Sequence, residues 1–413
     1  MQVYHDSAGW WLGSFKSMLK LIYSNKGLLF IALGNLVGAL LTGSFWLLIA
    51  TTQDADQYGK TNYLVAMASL ACSIALFGLN TTVTTFNAKG LKNISLQANQ
   101  LTLFSGVIAA IFVSIFSDWY AGLFVVSMVF WMMSSYDLLG KKLYKQYALV
   151  IVGARGSQLL LSLILYFVLG IEGIILGFVI SFFVFSYRYL GSMRMFNFKF
   201  NEVKGKLKFS MHAYSFNMST SFLMFFDKLV ILPLFGYTVL GQYQISLQLL
   251  LLVGMIPISL YQYLLSEESS GSRKTRLRYV GFAISVVLAA TLFFASPWLI
   301  ETYFPNFIDS IVAVKITSIG IVPMTIVWTI NSRLFTTGQT RFIAVGSAIY
   351  VSVQVVLILL LGREFGVPGL ATALVLALGA QSTFLFLGQN KLKKKILLEE
   401  TMGSRLAKKT DTK

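Results

Sequence analysis

The chain has 413 residues, of which 56% are hydrophobic and 12% are charged, about half the charged fraction of a typical soluble domain. Its mean hydropathy is +0.73. These values exclude a soluble globular protein and indicate a membrane protein with many spans. The formal net charge of +17 does not imply a nucleic acid partner, because the basic residues concentrate in the segments between the hydrophobic stretches.

The chemistry of a typical enzyme has no counterpart in this sequence. Cys72 is the only cysteine, and His5 and His212 are the only histidines, so neither a disulfide framework nor a histidine metal site is indicated. Glycine-rich phosphate loops, nucleophile elbows and usefully spaced carboxylate pairs are also missing. We therefore predict that the protein is not an enzyme and uses no metal and no cofactor.

In chain order, Met1–Lys26 is predicted to form an interfacial helix on the cytoplasmic side, with Lys16 and Lys20 opposite an apolar face. Hydrophobic stretches near the length of about 20 residues that crosses a bilayer follow it. Twelve such spans are predicted, at approximately Gly27–Ala50, Thr61–Phe86, Leu101–Ser117, Trp119–Gly140, Tyr147–Leu169, Gly173–Leu190, Phe209–Gly236, Val239–Leu265, Tyr279–Ile300, Ile308–Phe335, Phe342–Leu361 and Val367–Gly388.

The charges between the spans predict the topology. If Met1 is cytoplasmic, the outer loops hold only Lys60 and Arg363 as cations, whereas the other loop cations fall on the inner side. This distribution obeys the positive-inside rule at every loop. Both termini are therefore predicted to be cytoplasmic, in a multi-pass protein of the cytoplasmic membrane.

The sequence also repeats itself. Gly173 and Gly369 follow corresponding spans 196 residues apart, and Gly59 has a counterpart in Gly241. Six spans per half, both starting inside, predict a parallel repeat. The predicted domains are an N-terminal segment (1–26), a six-helix bundle (27–190), a basic linker (191–208), a second six-helix bundle (209–388) and a basic tail (389–413).

Polar side chains form stripes on several spans. An ionisable side chain facing lipid costs at least about 2.5–3.5 kcal/mol, so these stripes should face protein or a water-filled cavity. A single polar residue in a span is more often a contact between helices than a ligand. Lys315 can equally snorkel outward, and the position of Arg333 near the inner end favours an anchor of the inner flank. The predicted cavity-lining residues are Asn35, Arg155, Gln158, Tyr214, Asn217, Ser221, Lys228, Lys315 and Arg333.

Asp227 is the only carboxylate well inside a span. Because residues i and i+1 point in different directions on a helix, Asp227 need not neutralise Lys228. Asp227 is a candidate coupling site for H⁺ or Na⁺, or else the fixed partner of a cation. Asp137, four residues before Lys141 at a helix end, is predicted to form a local ion pair and is assigned no function.

Short motifs occur along nearly the whole chain: Tyr58-Gly59, Phe77-Gly78-Leu79, Asp227-Lys228, Leu240-Gly241-Gln242-Tyr243, Thr337-Gly338-Gln339-Thr340-Arg341 and Phe365-Gly366-Val367-Pro368-Gly369-Leu370-Ala371-Thr372. They resemble the motifs of the polysaccharide transporters, the Wzx-type flippases of the multidrug/oligosaccharidyl-lipid/polysaccharide (MOP) exporter superfamily. The pattern departs from the family at Thr61, where a tyrosine is usual.

This resemblance implies an all-α, MATE-like membrane fold of two six-helix bundles around a central cavity that opens alternately to each side. It implies a polyprenyl-pyrophosphate-linked oligosaccharide as substrate, with membrane lipids and other glycan-assembly proteins as partners. Coupling to an H⁺ or Na⁺ gradient or to the membrane potential would drive transport. The alternatives are a cation-coupled multidrug exporter of the same superfamily and a non-transporting scaffold subunit of glycan assembly.

Overall fold

The structure is a computed structural model that describes residues 26–91, 93–193, 200–269, 275–336 and 339–410. The predicted interfacial helix before Lys26 and the pair Thr337-Gly338 lie outside the described residues. Long apolar helices dominate the described chain. This is the expected result for such a sequence, because a helix satisfies every backbone N–H and C=O within its own segment when no water is present.

The chain divides into two compact units, which we call unit 1 (Met1–Ile49 and Leu64–Met218) and unit 2 (Ala50–Tyr63 and Ser219–Lys413). The helices in chain order are α1 (Lys26–Thr52), α2 (Ala55–Leu76), α3 (Leu79–Ala88), α4 (Ile94–Phe116), α5 (Trp119–Gly140), α6 (Tyr144–Leu169), α7 (Ile171–Val184), α8 (Tyr187–Met193), α9 (Asn201–Lys204), α10 (Leu207–Ser269), α11 (Thr275–Tyr303), α12 (Ile311–Ile319), α13 (Ile321–Thr336) and α14 (Thr340–Thr410).

Three helices belong to both units. Helix α1 passes from unit 1 into unit 2 after Ile49, α2 returns to unit 1 after Tyr63, and α10 passes from unit 1 into unit 2 after Met218. The units therefore differ from the predicted bundles, which were separated at the basic linker 191–208. The chain exchanges between the units inside helices rather than in a loop.

Eight of the described helical segments are long and apolar enough to cross a membrane, or ten if two bent helix pairs each count as one span. The predicted spans Thr61–Phe86 and Gly173–Leu190 are not continuous helices. The first bends by 51° between α2 and α3, and the second by 63° between α7 and α8. The first bend follows from Phe77 and Gly78, whose φ values of 46° and 70° are left-handed and cannot continue a right-handed helix.

Three further breaks divide long apolar segments. Within α10 and α14, Gly236 (φ 80°, ψ 177°) and Gly366 (φ 58°, ψ −132°) have non-helical backbone. Helix α12 ends at Ile319, four residues before Pro323. A proline ring clashes with the carbonyl four residues earlier, so the predicted kink at Pro323 appears as a break between α12 and α13.

The predicted repeat is visible in the local backbone of each unit. In unit 1, Gly170 has φ 62° and ψ −139°, and in unit 2 Gly366, 196 residues later, has nearly the same values. A Cβ on Gly173 would collide with the carbonyl of Leu165, and one on Gly369 with the carbonyl of Leu361. The same helix–turn–helix hairpin therefore occurs at the expected spacing, which supports the repeat.

Gly59 and Gly241 mark a tight helix crossing within unit 2. A Cβ on Gly59 would overlap the carbonyl oxygen of Tyr237, and one on Gly241 would overlap that of Ala55. Small residues allow helix backbones to approach this closely in a membrane protein. Thr61 is fully buried beside this crossing and hydrogen-bonds Gln53 at 3.1 Å, so the residue that departs from the family pattern is satisfied locally.

Candidate functional site

Arg155 lies in the interior of helix α6 in unit 1 and is half-buried. Its Nη1 donates to Gln158 Oε1 at 2.7 Å. Its guanidinium carbon stands 4.9 Å from the ring centroid of Trp131 and 5.4 Å from that of Phe182. No carboxylate among the described residues pairs with Arg155, so the structure holds this charge with aromatic faces and a neutral amide.

The other predicted residues of unit 1 contact neighbours elsewhere in the unit. Asn35 accepts a hydrogen bond from the Tyr147 hydroxyl at 3.0 Å. Tyr214 stacks on Phe77, with ring centroids 5.4 Å apart. Asn217 donates to Asn80 Oδ1 at 3.1 Å, at the start of α3. The beginning of α10 is therefore held against the bend between α2 and α3.

Lys228 and Asp227 form a buried ion pair in unit 2. The Lys228 ammonium lies 3.0 Å from Asp227 Oδ1, with side chains 7% and 5% exposed, and donates to the carbonyl of Met224 at 2.8 Å. Helical spacing left open whether Asp227 neutralises Lys228, and the structure pairs the two side chains. Helical spacing separates the two Cα–Cβ directions, but the long lysine stem folds back along the helix toward the preceding turn and reaches the short carboxylate.

A shell of neutral hydroxyl and amide groups surrounds this carboxylate. The Tyr243 hydroxyl donates to Asp227 Oδ2 at 3.2 Å. Gln354 hydrogen-bonds the hydroxyls of both Tyr243 and Tyr350, and all three side chains are buried. A buried ion pair is stable only when further hydrogen bonds satisfy the remaining lone pairs, and Tyr243 fulfils that role here.

The remaining predicted residues of unit 2 do not join this pair in an ion-pair network. Lys315 lies with its ammonium 5.7 Å from the ring centroid of Phe293, and the described residues offer it no carboxylate within salt-bridge distance. Ser221 and Arg333 are half-buried. The predicted stripe on α10 is divided between units, because Tyr214 and Asn217 belong to unit 1 and Ser221 and Lys228 to unit 2.

Asp137 is the centre of a second charged cluster in unit 1. The predicted pair with Lys141 is confirmed at 2.8 Å, and Arg188 on α8 pairs with the same carboxylate at 2.9 Å. Ser95 and Asn87 donate to Asp137 Oδ1 at 2.6 and 3.0 Å. One carboxylate therefore binds side chains from α3, α4 and α8 as well as its own helix end.

The sequence did not indicate several of these partners. Trp131 and Phe182 read as ordinary apolar residues of their spans, and Arg188 belongs to a basic cluster explained by topology alone. Tyr243 and Gln354 have no spacing relation to Asp227 that periodicity detects. Among the described residues, no group of three or more His, Cys, Asp or Glu side chains is placed to hold a metal ion.

Solved structures provide the next comparison. The lipid II flippase MurJ, in an inward closed conformation, has a TM-score of 0.73 at 14% identity, covering 88% of this chain and 87% of the flippase. An inward-facing MATE multidrug resistance transporter of the MOP superfamily has a TM-score of 0.68 at 15% identity, covering 87% of this chain and 94% of that one.

The chain has the fold of the MOP transporters. A MOP superfamily transporter from Pyrococcus furiosus, described as having a binding pocket of reversed polarity, matches with a TM-score of 0.56 at 14% identity over 89% of this chain and 96% of that one. No protein-family model and no curated protein sequence matches the chain. At these identities the likeness establishes a multi-pass membrane protein of this fold, and the choice of substrate depends on the residues of the chain itself.

Proposed function

We propose that the protein is a flippase that moves a polyprenyl-pyrophosphate-linked oligosaccharide across the cytoplasmic membrane by alternating access. The observation that carries the proposal is the half-buried Arg155, which has no carboxylate partner among the described residues. An unpaired guanidinium inside a membrane protein is costly unless it serves an anion. A pyrophosphate offers it charge-assisted hydrogen bonds.

The balance of charge supports an anionic substrate. Each carboxylate that is buried in the described spans is already neutralised, Asp137 by Lys141 and Arg188 and Asp227 by Lys228. Arg155 and Lys315 have no carboxylate partner among the described residues. An interior with surplus positive charge attracts an anion and repels a cation, so this arrangement favours a phosphorylated substrate.

A cation-coupled multidrug exporter is the second candidate, because MATE transporters share the fold. That function requires carboxylates free to attract cationic drugs, whereas Asp137 and Asp227 are both paired. A non-transporting scaffold subunit is the third candidate. A scaffold would hold its buried charges in fixed ion pairs. Asp227 and Lys228 form such a pair, whereas Arg155 has no carboxylate partner among the described residues.

The class of function is tested by deleting the gene. We expect the lipid-linked oligosaccharide to accumulate on the cytoplasmic face of the membrane in the deletion strain, measured by its accessibility to an impermeant lectin or glycosidase in inverted vesicles. Complementation with the intact gene should clear it. A deletion strain that exports its glycan normally but becomes sensitive to cationic drugs would instead favour the exporter.

The proposed topology has twelve crossings with both termini in the cytoplasm. The apolar segments Met224–Ser259 and Arg341–Gly388, of 36 and 48 residues, exceed the 17–25 residues of one crossing, and each contains a non-helical glycine at which the chain can reverse. This supports counting each of them as two spans.

Cysteine labelling tests this topology. Single cysteines replacing Asp54, Asp118, Glu301 and Arg363, in a chain with Cys72 changed to alanine, should react with an impermeant maleimide in intact cells. A cysteine replacing Lys142 should react only after permeabilisation. Labelling of the Lys142 position from outside would reject the twelve-span topology.

Asp227 is the proposed coupling residue. Its carboxylate holds Lys228 and accepts from Tyr243, so binding of a proton or Na⁺ would change the only ionic contact that the described part of unit 2 gives Lys228. We expect Asp227→Asn to make glycan export independent of the ion gradient, measured in proteoliposomes with and without an imposed gradient.

The control is the double variant Asp227→Asn with Lys228→Gln, which also removes the lysine charge that the single change leaves unpaired. It should fold like the parent protein and show the same loss of gradient dependence. If either variant still responds to the gradient, Asp227 is a structural ion-pair partner and the coupling role is rejected.

A further inference from the structure

Four side chains in unit 1 form what we call the Arg155 cluster: Trp131 on α5, Arg155 and Gln158 on α6, and Phe182 on α7. Trp131 and Phe182 stack with ring centroids 4.5 Å apart and planes 6° from parallel, and the guanidinium lies over both rings. Gln158 is 2% exposed and fixes the guanidinium from its own helix. Aromatic faces restrain the plane of an arginine and leave its N–H edge for a ligand.

The cluster contains hydrogen-bond donors in excess. The one acceptor in it, Gln158 Oε1, is taken by Arg155. Among the described residues, the buried indole nitrogen of Trp131 has no hydrogen-bond partner. Arginine and tryptophan side chains can only donate. A buried donor with no acceptor in the protein calls for an acceptor from outside it.

Trp131 indicates a ligand independently of the Arg155 charge. It is 6% exposed, and its Nε1 is buried without a partner in the described structure. Buried polar atoms in folded proteins are nearly always hydrogen-bonded, and the exceptions need an explanation such as a ligand. An acceptor that enters between the side chains of the cluster would satisfy this nitrogen and the guanidinium together.

We propose that the Arg155 cluster is an oxyanion subsite that binds the phosphate or pyrophosphate group of the substrate, with Trp131 as a specificity-determining donor. The inference rests on the proposed function and adds to it which part of the substrate binds here. Phosphate oxygens only accept, which matches a cluster that only donates. A sugar hydroxyl both donates and accepts. The cluster would satisfy only the acceptor side of that hydroxyl and would leave its O–H without an acceptor.

Binding of inorganic pyrophosphate to the purified full-length protein in lipid nanodiscs, measured by isothermal titration calorimetry, tests the subsite. Trp131→Phe keeps an aromatic ring for the guanidinium and removes only the N–H group. Loss of one hydrogen bond to a charged group should weaken binding about tenfold or more. Trp119→Phe, the same change at an exposed position of the same helix, is the matched control and should leave binding unchanged.

Gln158→Glu is the second variant, because it places a carboxylate where the Arg155 guanidinium already donates. The internal ion pair should compete with the ligand and weaken pyrophosphate binding at least about tenfold, whereas Gln158→Leu should weaken it less. Unaltered binding in both Trp131→Phe and Gln158→Glu would overturn the subsite.

Competition between ligands shows whether the cluster binds the substrate's pyrophosphate or any phospholipid headgroup. A polyprenyl pyrophosphate in the nanodisc should displace inorganic pyrophosphate, and the corresponding uncharged polyprenol should not. If phosphatidylglycerol displaces pyrophosphate as well as the polyprenyl compound does, the subsite for the substrate is rejected in favour of a general lipid headgroup site.

Export measured in the same variants distinguishes the two proposals. If the parent protein exports glycan normally and the Trp131 and Gln158 variants bind pyrophosphate like the parent, the subsite is rejected and the proposed flippase function stands. If pyrophosphate binding depends on the cluster but deletion of the gene leaves glycan export unchanged, the flippase function is rejected and the cluster remains an anion-binding site.

Discussion

Replacing Arg155 with alanine should reduce glycan export about a hundredfold or more without affecting insertion of the protein into the membrane. The change removes the proposed charge-assisted, two-pronged contact to the pyrophosphate, for which a loss of about 3 kcal/mol is expected. It leaves no carboxylate unpaired, because none of the described carboxylates depends on Arg155. The measurement is export in the deletion strain carrying each variant at matched protein levels.

Two further variants test whether the loss of export comes from the Arg155 guanidinium itself. Arg155→Lys keeps the charge and loses the planar fork, so its export should fall between those of the parent and the alanine variant. Arg363→Ala removes an exposed cation of unit 2 and should export normally. Full export by Arg155→Ala would remove the main support for an anionic substrate.

Asp137→Ala should strongly destabilise unit 1. The carboxylate is buried and binds Lys141, Arg188, Ser95 and Asn87, and removing one partner of a buried charge network costs about 3–5 kcal/mol. We expect a loss of about 3 kcal/mol in the free energy of unfolding. The side chains of Lys141 and Arg188 are 38% and 30% exposed, so water can partly solvate them once they are unpaired.

Thermal unfolding in detergent, followed by intrinsic fluorescence, measures this effect. Glu172→Ala, which removes an exposed carboxylate of the same unit, should leave the unfolding temperature nearly unchanged. An Asp137→Ala protein that is as stable as the Glu172→Ala control would show that the network contributes little to the stability of unit 1.

The parts of the structure that follow from local rules were accessible from sequence. Apolar stretches predicted helices because hydrocarbon leaves the backbone no other partner. Gly173 and Gly369 marked a hairpin that recurs with the same backbone angles. Asp137 and Lys141 were correctly paired because helical spacing alone decides contacts four residues apart.

The parts that depend on folding of distant segments were not accessible. The Asp227 carboxylate accepts from Tyr243, which lies 16 residues away, and the Gln354 side chain that contacts Tyr243 comes more than 100 residues later, so no period connects them. The direction of the Lys228 side chain depends on its own long stem and on the Met224 carbonyl, so the spacing of the two residues could not decide whether they pair. The bend at Phe77 and Gly78 went undetected because a single glycine inside a helical pattern does not by itself end a helix.

The passage of α2 and α10 through both units has a consequence for how the protein is made. Unit 1 contains residues up to Met218, so it cannot be complete when the ribosome has finished the first six predicted spans. Unit 2 needs Ala50–Tyr63, a segment synthesised early that must wait for partners translated well over 150 residues later. Domains usually fold as units in the order of synthesis. Here unit 1 can reach its final packing only after the start of α10 has been made, and unit 2 only after most of the chain has been made. Two half-chains cut at residue 200 should therefore assemble only when they are made in the same cell.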